Sequence, residues 1–395
     1  MIKLAVILCG GLGKRLGNLT KSTPKGMLKI SNKPFLEHLL LQLKKNGISE
    51  FIFLVGFESE KIQKYFDNGK KFGVKIYYSY SHLKTETLKR IYNARSIIKK
   101  DFILLYSDNY YPLNLDRLFR YYKLNNKPIC LNLCKKKSGN FRFGKKKISY
   151  SAKRNTKYNY VEIGYSIFNK KIIKEIPNEN KSLNYFLKQM HIKNKISFFK
   201  NYHNYLSIGD KRRLIITKKY FKNNKFILID RDGTLNKKIK GKRYITNEKE
   251  IYLNLKLINL LKKYKNIKYI CISNQAGIST GVLSKNKLNK INSKLVKLLK
   301  KKQIILKKIF INTDHFLSNS FQRKPNPGMF LKAAKQFKFL LDQTIYIGDD
   351  KRDIMAAYNS STDCYFLGKK VSNLIENKNL IKIPLEKYIK NKNDE

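Results

Sequence analysis

The sequence predicts an α/β protein built from two doubly wound, mostly parallel sheets, one after the other along the chain. Three observations predict it. Short apolar runs of strand length alternate with segments of helical periodicity, first over residues 3–107 and again from residue 226. Each series opens on an apolar strand that runs into a chemically distinctive loop. A polar, aromatic stretch at Lys218–Lys225 separates the two, which sets domains at 1–218 and 226–395 with a linker at 219–225. A length of 395 residues agrees, at roughly 150 residues per domain.

The first half opens with strand Lys3–Cys9 and the loop Gly10–Gly17. Helix Phe35–Asn46 has apolar residues at 36, 39, 40 and 43, and Gly47 stops it. Strand Phe51–Val55, a short helix near Lys61–Phe66, strand Val74–Tyr80, a helix near Thr87–Ile98 and strand Phe102–Tyr106 follow. Residues 114–220 are less regular, with strand-like runs at Ile129–Cys134, Tyr160–Phe168 and Ile196–Phe199. The second half alternates strand Phe226–Ile229, helix Ile251–Tyr264, strand Ile267–Ile272, helix Lys285–Lys301 and a strand near Lys308–Ile311. Helix Met329–Leu340, strand Thr344–Ile347 and a last strand near Cys364–Leu367 complete it, and the Lys-rich 388–395 is expected to be loose.

Composition narrows the function. Apolar residues make up 42%, too many for a disordered basic tail. Lys and Arg number 85 against 27 Asp and Glu, a net charge of +58. Yet the charge is scattered in pairs and triplets such as Lys135–Lys137, Lys145–Lys147 and Lys300–Lys302, beside abundant Asn, Ile and Tyr, all encoded by A/T-rich codons. Solvated lysine faces explain it, and nucleic acid is not an expected partner. A positive field still speeds the arrival of anionic substrates. No apolar stretch approaches the roughly 20 residues of a membrane span, so a membrane partner is not expected either. Five scattered cysteines and the lack of a signal-peptide layout point to the cytoplasm. The oligomeric state is open.

The strongest motif is Asp230-Arg231-Asp232-Gly233-Thr234, directly after an apolar strand. Strand C-terminal ends line the ligand crevice of a parallel sheet. There the first carboxylate can attack phosphorus, and the second can protonate a leaving oxygen and later activate water. Ser273-Asn274-Gln275, Arg323-Lys324-Pro325-Asn326-Pro327-Gly328 and Gly348-Asp349-Asp350-Lys351-Arg352-Asp353 follow in order, each near a strand end or a helix start. A phosphoryl group in transfer needs such cations and hydroxyl or amide donors around it. Asp230, Asp232, Asp349 and one of Asp350 or Asp353 would repel one another without a metal, and oxygen-only ligands suit Mg²⁺.

This ordered set resembles the four motifs of the haloacid dehalogenase superfamily over about residues 225–370, in the branch that holds heptose 1,7-bisphosphate and histidinol phosphatases. The resemblance implies a haloacid dehalogenase-like fold. It makes Asp230 the nucleophile, Asp232 the acid/base, and Ser273 and Lys324 stabilisers of the phosphoryl group. It gives substrate binding to Arg323, Asn274 and Gln275, and Mg²⁺ binding to Asp230, Asp349 and the Asp232 backbone carbonyl. The branch usually carries a Cys/His zinc loop before Arg323. Here 312–322 contain His315 and no cysteine, so no zinc is expected.

In the first half, Gly10-Gly11-Leu12-Gly13-Lys14-Arg15 lets backbone amides wrap an anion and offers a guanidinium fork. Lys25 adds a cation, and Asp108 ends a strand at the crevice. The combination resembles the sugar-phosphate nucleotidyltransferases, of the heptose 1-phosphate guanylyltransferase type, over about residues 1–218. That implies a Rossmann-like nucleotidyltransferase fold. It implies nucleotide binding by Gly10, Gly11, Gly13, Arg15 and Lys25, and Mg²⁺ on Asp108. Two departures stand out: the Leu83–Leu88 segment lacks the family's glycines, and Ser207-Ile208-Gly209 replaces an Asp-Ile-Gly run. Two resembling halves that act on consecutive steps imply a bifunctional enzyme that takes the 7-phosphate from the heptose bisphosphate, then joins GMP from GTP to the 1-phosphate for surface polysaccharide. A non-catalytic first half and a histidinol-phosphate phosphatase are the alternatives.

Overall fold

The computed structural model describes residues 1–144, 148–222, 226–264 and 266–368. The Lys145–Lys147 triplet, residues 223–225 of the expected linker and the 388–395 tail lie outside them. The chain forms two compact units, Met1–Lys218 and Lys219–Glu395.

The first unit is organised on one mixed sheet. Its strands run in the order Ile148–Asn155, Gly139–Phe143, Tyr160–Glu162, Ile129–Lys135, Ser166–Phe168, Phe102–Tyr106, Leu4–Leu8, Glu50–Val55, Lys75–Tyr80. The last four are mutually parallel, and strand Leu4–Leu8 is buried throughout. Continuous apolar runs suit strands covered on both faces. The other half is antiparallel, apart from Ile196–Lys200, which pairs in parallel with Ile129–Lys135. The expected run Tyr160–Phe168 is two strands. Gly164 and Tyr165 take positive φ (81° and 56°), and the Glu162 carboxylate accepts the Gly164 amide at 2.6 Å, which turns the chain. Helix Phe35–Lys45 buries Leu36, Leu39, Leu40 and Leu43 completely, and Gly47 at φ 87° follows its end.

Four helices carry apolar stripes diluted by lysine, asparagine and tyrosine: Leu115–Asn125, Leu183–Ile192, Lys211–Lys222 and Lys351–Ser360; of these the sequence leads one to expect only the helix after Asp210. Each begins at a side-chain cap, from Asn114, Ser182, Asp210 and Asp350 respectively. Lys211–Lys222 carries residues 219–222 of the expected linker in helix.

The second unit has a wholly parallel five-stranded sheet, ordered Leu306–Asn312, Lys268–Asn274, Phe226–Ile229, Ile345–Gly348, Asp363–Phe366. Its central strand alternates. Ile227 and Ile229 join the core on one face, with Leu257, Ile258, Leu261 and Leu295 of its helices, while Phe226 and Leu228 face Phe330, Ala333 and Ile354. Phe226 is therefore the start of a two-faced core strand, and Asp230 follows it at the C-terminal edge. Leu295 is fully buried in helix Lys285–Lys301. Leu295→Ala should destabilise this unit by about 2–5 kcal/mol in a urea titration followed by circular dichroism.

Candidate active sites

In the second unit, three parallel strand ends and one helix start meet. Asp230 follows Phe226–Ile229, Ser273 lies near the end of Lys268–Asn274, and Asp349 follows Ile345–Gly348. Lys324 comes from the loop before helix Gly328–Phe337. Its ammonium donates to Asp230 at 2.6 Å, to Asp353 at 2.7 Å and to the Tyr346 hydroxyl at 2.8 Å. All four side chains are buried. Burial raises the Asp230 pKa; the Lys324 charge opposes that, the Asp353 charge adds to it, and the carboxyl is pushed up to about 7. Burial alone would lower Lys324, but Asp230 and Asp353 hold it well above the ordinary lysine value.

Of the two further carboxylates left open by the sequence, Asp353 turns inward and Asp350 does not. Asp353 accepts the amides of Asp349 and Asp350 at 3.1 and 3.0 Å. Asp350 caps the helix Lys351–Ser360 and is held by Arg352 at 2.8 and 3.0 Å. Asp230, Asp349 and Asp353 can each present an oxygen within 4.8 Å of the others. Three carboxylates so close, two of them buried, form a donor set that fits a hard divalent cation such as Mg²⁺. Lys238 also bonds Asp349, as does Thr234 Oγ1 at 3.2 Å. Gly233 sits against Asp349: a Cβ there would lie 2.6 Å from its carboxyl carbon.

Asp232 is gripped from three sides. Arg231 donates at 3.0 and 2.8 Å, Gln275 at 2.7 Å and Asn236 at 3.2 Å. Burial opposes ionisation here, but the Arg231 charge and these donors win and hold the carboxyl below its usual range. Gln275 also donates to Ser273 Oγ at 2.9 Å. It was expected at the substrate; its amide nitrogen instead steadies Asp232 and Ser273. Asn274 was expected there too, and both ends of its amide are committed to the Lys324 main chain, at 3.0 and 3.1 Å. It positions Lys324. Arg323 is partly tied down, donating to the Asp314 carbonyl at 3.2 Å. Where a zinc loop would run, Asn312 bonds Asp314 at 2.7 Å and Ser320 at 3.5 Å.

In the first unit, Lys25 donates to Asp108 at 2.7 Å. Strand Leu206–Ser207 pairs antiparallel with Asn109–Tyr110, which draws Ser207 beside Asp108. Gly209 closes the cluster: a Cβ there would lie 3.2 Å from Ser207 Oγ, 3.3 Å from Asp108 Oδ2 and 3.4 Å from Arg15. Arg15, Lys25, Asp108 and Ser207 thus share one corner. Gly13 takes φ 65°, and Gly11 has open space around it. Asp210 caps helix Lys211–Lys222 through the Arg213 amide at 2.9 Å, so it does not replace the missing carboxylate. The five cysteines are buried thiols, and His38 is a structural residue bonded to the Ile30 carbonyl at 2.8 Å. Sequence reasoning gave no role to Tyr346 or Arg90, which act through partners distant in the chain or through the backbone, nor to Arg231, whose fork folds onto its own neighbour Asp232.

Comparison with known proteins fits this geometry. The family model for haloacid dehalogenase-like hydrolases matches residues 155–366, which contain the whole carboxylate and Lys324 cluster. This chain belongs to that family. A nucleotidyl transferase model matches residues 4–197 and covers the Gly10 loop, Lys25 and Asp108. The chain is 40% identical over 129 residues to the D-glycero-alpha-D-manno-heptose 1-phosphate guanylyltransferase of Campylobacter jejuni, covering 33% of this chain and 56% of that one. It thus spans about half the length of that curated relative. A putative glucose-1-phosphate thymidylyltransferase from Bacillus anthracis shares the fold, with TM-score 0.50 at 17% identity over 54% of this chain and 93% of its own. A D,D-heptose 1.7-bisphosphate phosphatase from B. bronchiseptica, crystallised with magnesium and phosphate, aligns with TM-score 0.37 at 22% identity over 40% of this chain and 92% of its own.

Lys324→Met would leave Asp230 and Asp353 buried together without their cation. Stability at neutral pH should fall by about 3–5 kcal/mol. Asp230, already pushed up by burial, would then lose the charge that opposes that rise and titrate well above its unfolded value. The folded variant binds more protons, so its deficit should shrink as pH falls from 7 towards 4, where the unfolded carboxyls also protonate. Urea titrations at several pH values in metal-free buffer check this.

Proposed function

We propose that this chain is a bifunctional enzyme of sugar activation: a Mg²⁺-dependent phosphatase in the second unit and a nucleotidyltransferase in the first. The observation that carries the first activity is the buried Lys324 ammonium beside Asp230, in a ring of carboxylates at the strand ends. An Asp230 oxygen attacks phosphorus as the phosphorus–oxygen bond to the sugar breaks. Lys324 and the Ser273 hydroxyl hold the phosphoryl oxygens. The leaving alkoxide takes a proton from Asp232. In the second half, Asp232 takes a proton from water, the water oxygen attacks phosphorus, and the aspartyl bond breaks to release phosphate. The Arg231 fork favours the ionised Asp232 and so favours this second, base-assisted half. Asp230 and Asp349, with Asp353 beside them, would hold Mg²⁺, which supplies charge neutralisation for the transferring group. Arg323 would meet the far end of the substrate.

The substrate reading is D-glycero-D-manno-heptose 1,7-bisphosphate, losing its 7-phosphate. The first unit would then join GMP from GTP to the heptose 1-phosphate: the sugar phosphate oxygen attacks the α-phosphorus and pyrophosphate leaves. Arg15 and the amides of Gly10, Gly11 and Gly13 would cradle the phosphates, Lys25 would steady them, and Asp108 would hold Mg²⁺. The 40% identity to a guanylyltransferase supports the sugar and the base. Such a product serves surface polysaccharide, made in the cytoplasm. No described helix is long and apolar enough to cross a membrane.

One observation favours a second reading of the first unit. A hydroxyl, Ser207, stands in the metal corner where a carboxylate would be stronger. The unit would then bind nucleotide sugar without making it.

Asp230→Asn should lower phosphate release from the bisphosphate by at least about a thousandfold, since the nucleophile is gone. Chelation of metal should abolish wild-type turnover, and added Mg²⁺ should restore it, in a phosphate-release assay. Incubation with GTP and heptose 1-phosphate should release pyrophosphate, and Asp108→Asn should stop this. GTP binding without pyrophosphate would establish the binding-only reading.

A further inference from the structure

The segment where the glycine-rich nucleotide loop of relatives is missing has an unusual anchor. Arg90, in helix Thr87–Asn93, is 4% exposed, and its guanidinium binds four main-chain carbonyls. Nε donates to Thr85 at 3.0 Å, Nη1 to Val55 at 3.0 Å and Ser81 at 3.3 Å, and Nη2 to His82 at 3.0 Å. Val55 ends strand Glu50–Val55, and Ser81 follows strand Lys75–Tyr80. The same group lies directly behind the phosphate loop. A Cβ on Gly10 would come within 2.6 Å of Arg90 Cζ, and one on Gly56 within 2.7 Å of Nη1. Arg90 therefore ties two neighbouring strand ends to the loop at 82–85, and glycine at 10 and 56 makes room for it.

The charge is the second observation. Every hydrogen-bond acceptor is a neutral carbonyl, and among the described residues no carboxylate is in ion-pair contact with Arg90; the Glu86 charge favours the cation without touching it. A full cation is thus fixed against Gly10 of the loop, with the Glu86 charge acting on it and no carboxylate in direct contact among the described residues. Burial without a partner is costly. A bound polyphosphate would bring further negative charge to the loop amides, where weak screening makes it count.

We propose that Arg90 is a positioning residue of the nucleotide site. It holds the glycine-free segment 81–86 as one wall of that site, and its fixed charge raises affinity for a nucleoside triphosphate. This rests on the nucleotide reading of the first unit. It also explains how that unit can dispense with the family's glycines: the side chain of Arg90 organises carbonyls that a flexible loop would otherwise arrange.

The test uses full-length wild type, Arg90→Met and Arg90→Lys. GTP affinity is measured by titration calorimetry with Mg²⁺, and each variant's phosphatase turnover reports on the second unit. Removing one charged donor group should weaken GTP binding by at least about tenfold in Arg90→Met. Arg90→Lys should recover part of the loss. The salt dependence of binding should be shallower in Arg90→Met than in wild type. Phosphatase turnover should stay at the wild-type level. GTP affinity and salt slope equal to wild type in folded Arg90→Met would overturn the proposal, even if its melting temperature falls, since that is the mark of a structural tie alone. If Arg90→Met does not fold, Arg90→Lys decides: wild-type melting with weakened GTP binding supports the role, and unchanged GTP binding overturns it. A wild type that binds no GTP overturns the nucleotide reading along with it.

Discussion

One buried ammonium organises the second unit. Lys324 lies between Asp230 and Asp353 with the Tyr346 hydroxyl as its third partner, and all four are buried. Two carboxylates taken from water repel each other and titrate upward. A cation between them offsets much of that cost and fixes which oxygens remain for other work. Asp230 keeps an oxygen that can face phosphorus because Lys324 holds the other.

The fold supplies this arrangement through parallel strands. Their C-terminal ends lie side by side, so residues more than a hundred positions apart in the chain, such as Asp230 and Asp349, become neighbours. The surrounding amides complete the frame. Asn274 fixes the Lys324 main chain, the helix cap at Asp350 and Asp353 fixes the Asp349 turn, and Gly233 clears space beside Asp349. The first unit uses the same device on a mixed sheet, where the register Leu8 to Tyr106 sets the Gly10 loop beside Asp108. Each unit thus gathers charge at strand ends, where backbone donors are free to meet an anion.

Much of this was legible in the sequence because the chemistry is written in short contiguous runs. Asp230 to Thr234 and Arg323 to Gly328 carry their meaning within a few residues, and the apolar runs beside them place the strands. What escaped is long-range or hidden in composition. Nothing local says that the Asn274 amide serves Lys324, that Gln275 steadies Asp232, or that a tyrosine inside an apolar strand, Tyr346, points its hydroxyl into a charged cluster. The helices at 115–125, 183–192 and 351–360 were masked by lysine-rich, asparagine-rich sequence, where caps rather than apolar spacing mark the start, as Asp210 does for the helix at 211–222. The break at Gly164 and Tyr165 depends on positive backbone angles that a run of apolar residues conceals.

The central claim is that a carboxylate held by Lys324 becomes esterified to phosphate. Borohydride reduction of the enzyme during turnover of the proposed heptose bisphosphate, followed by peptide mass spectrometry, reads it directly, because an acyl phosphate reduces to the alcohol and leaves homoserine in place of aspartate. The account predicts that homoserine at position 230. Modification at another residue, or none while phosphate is being released, would contradict it.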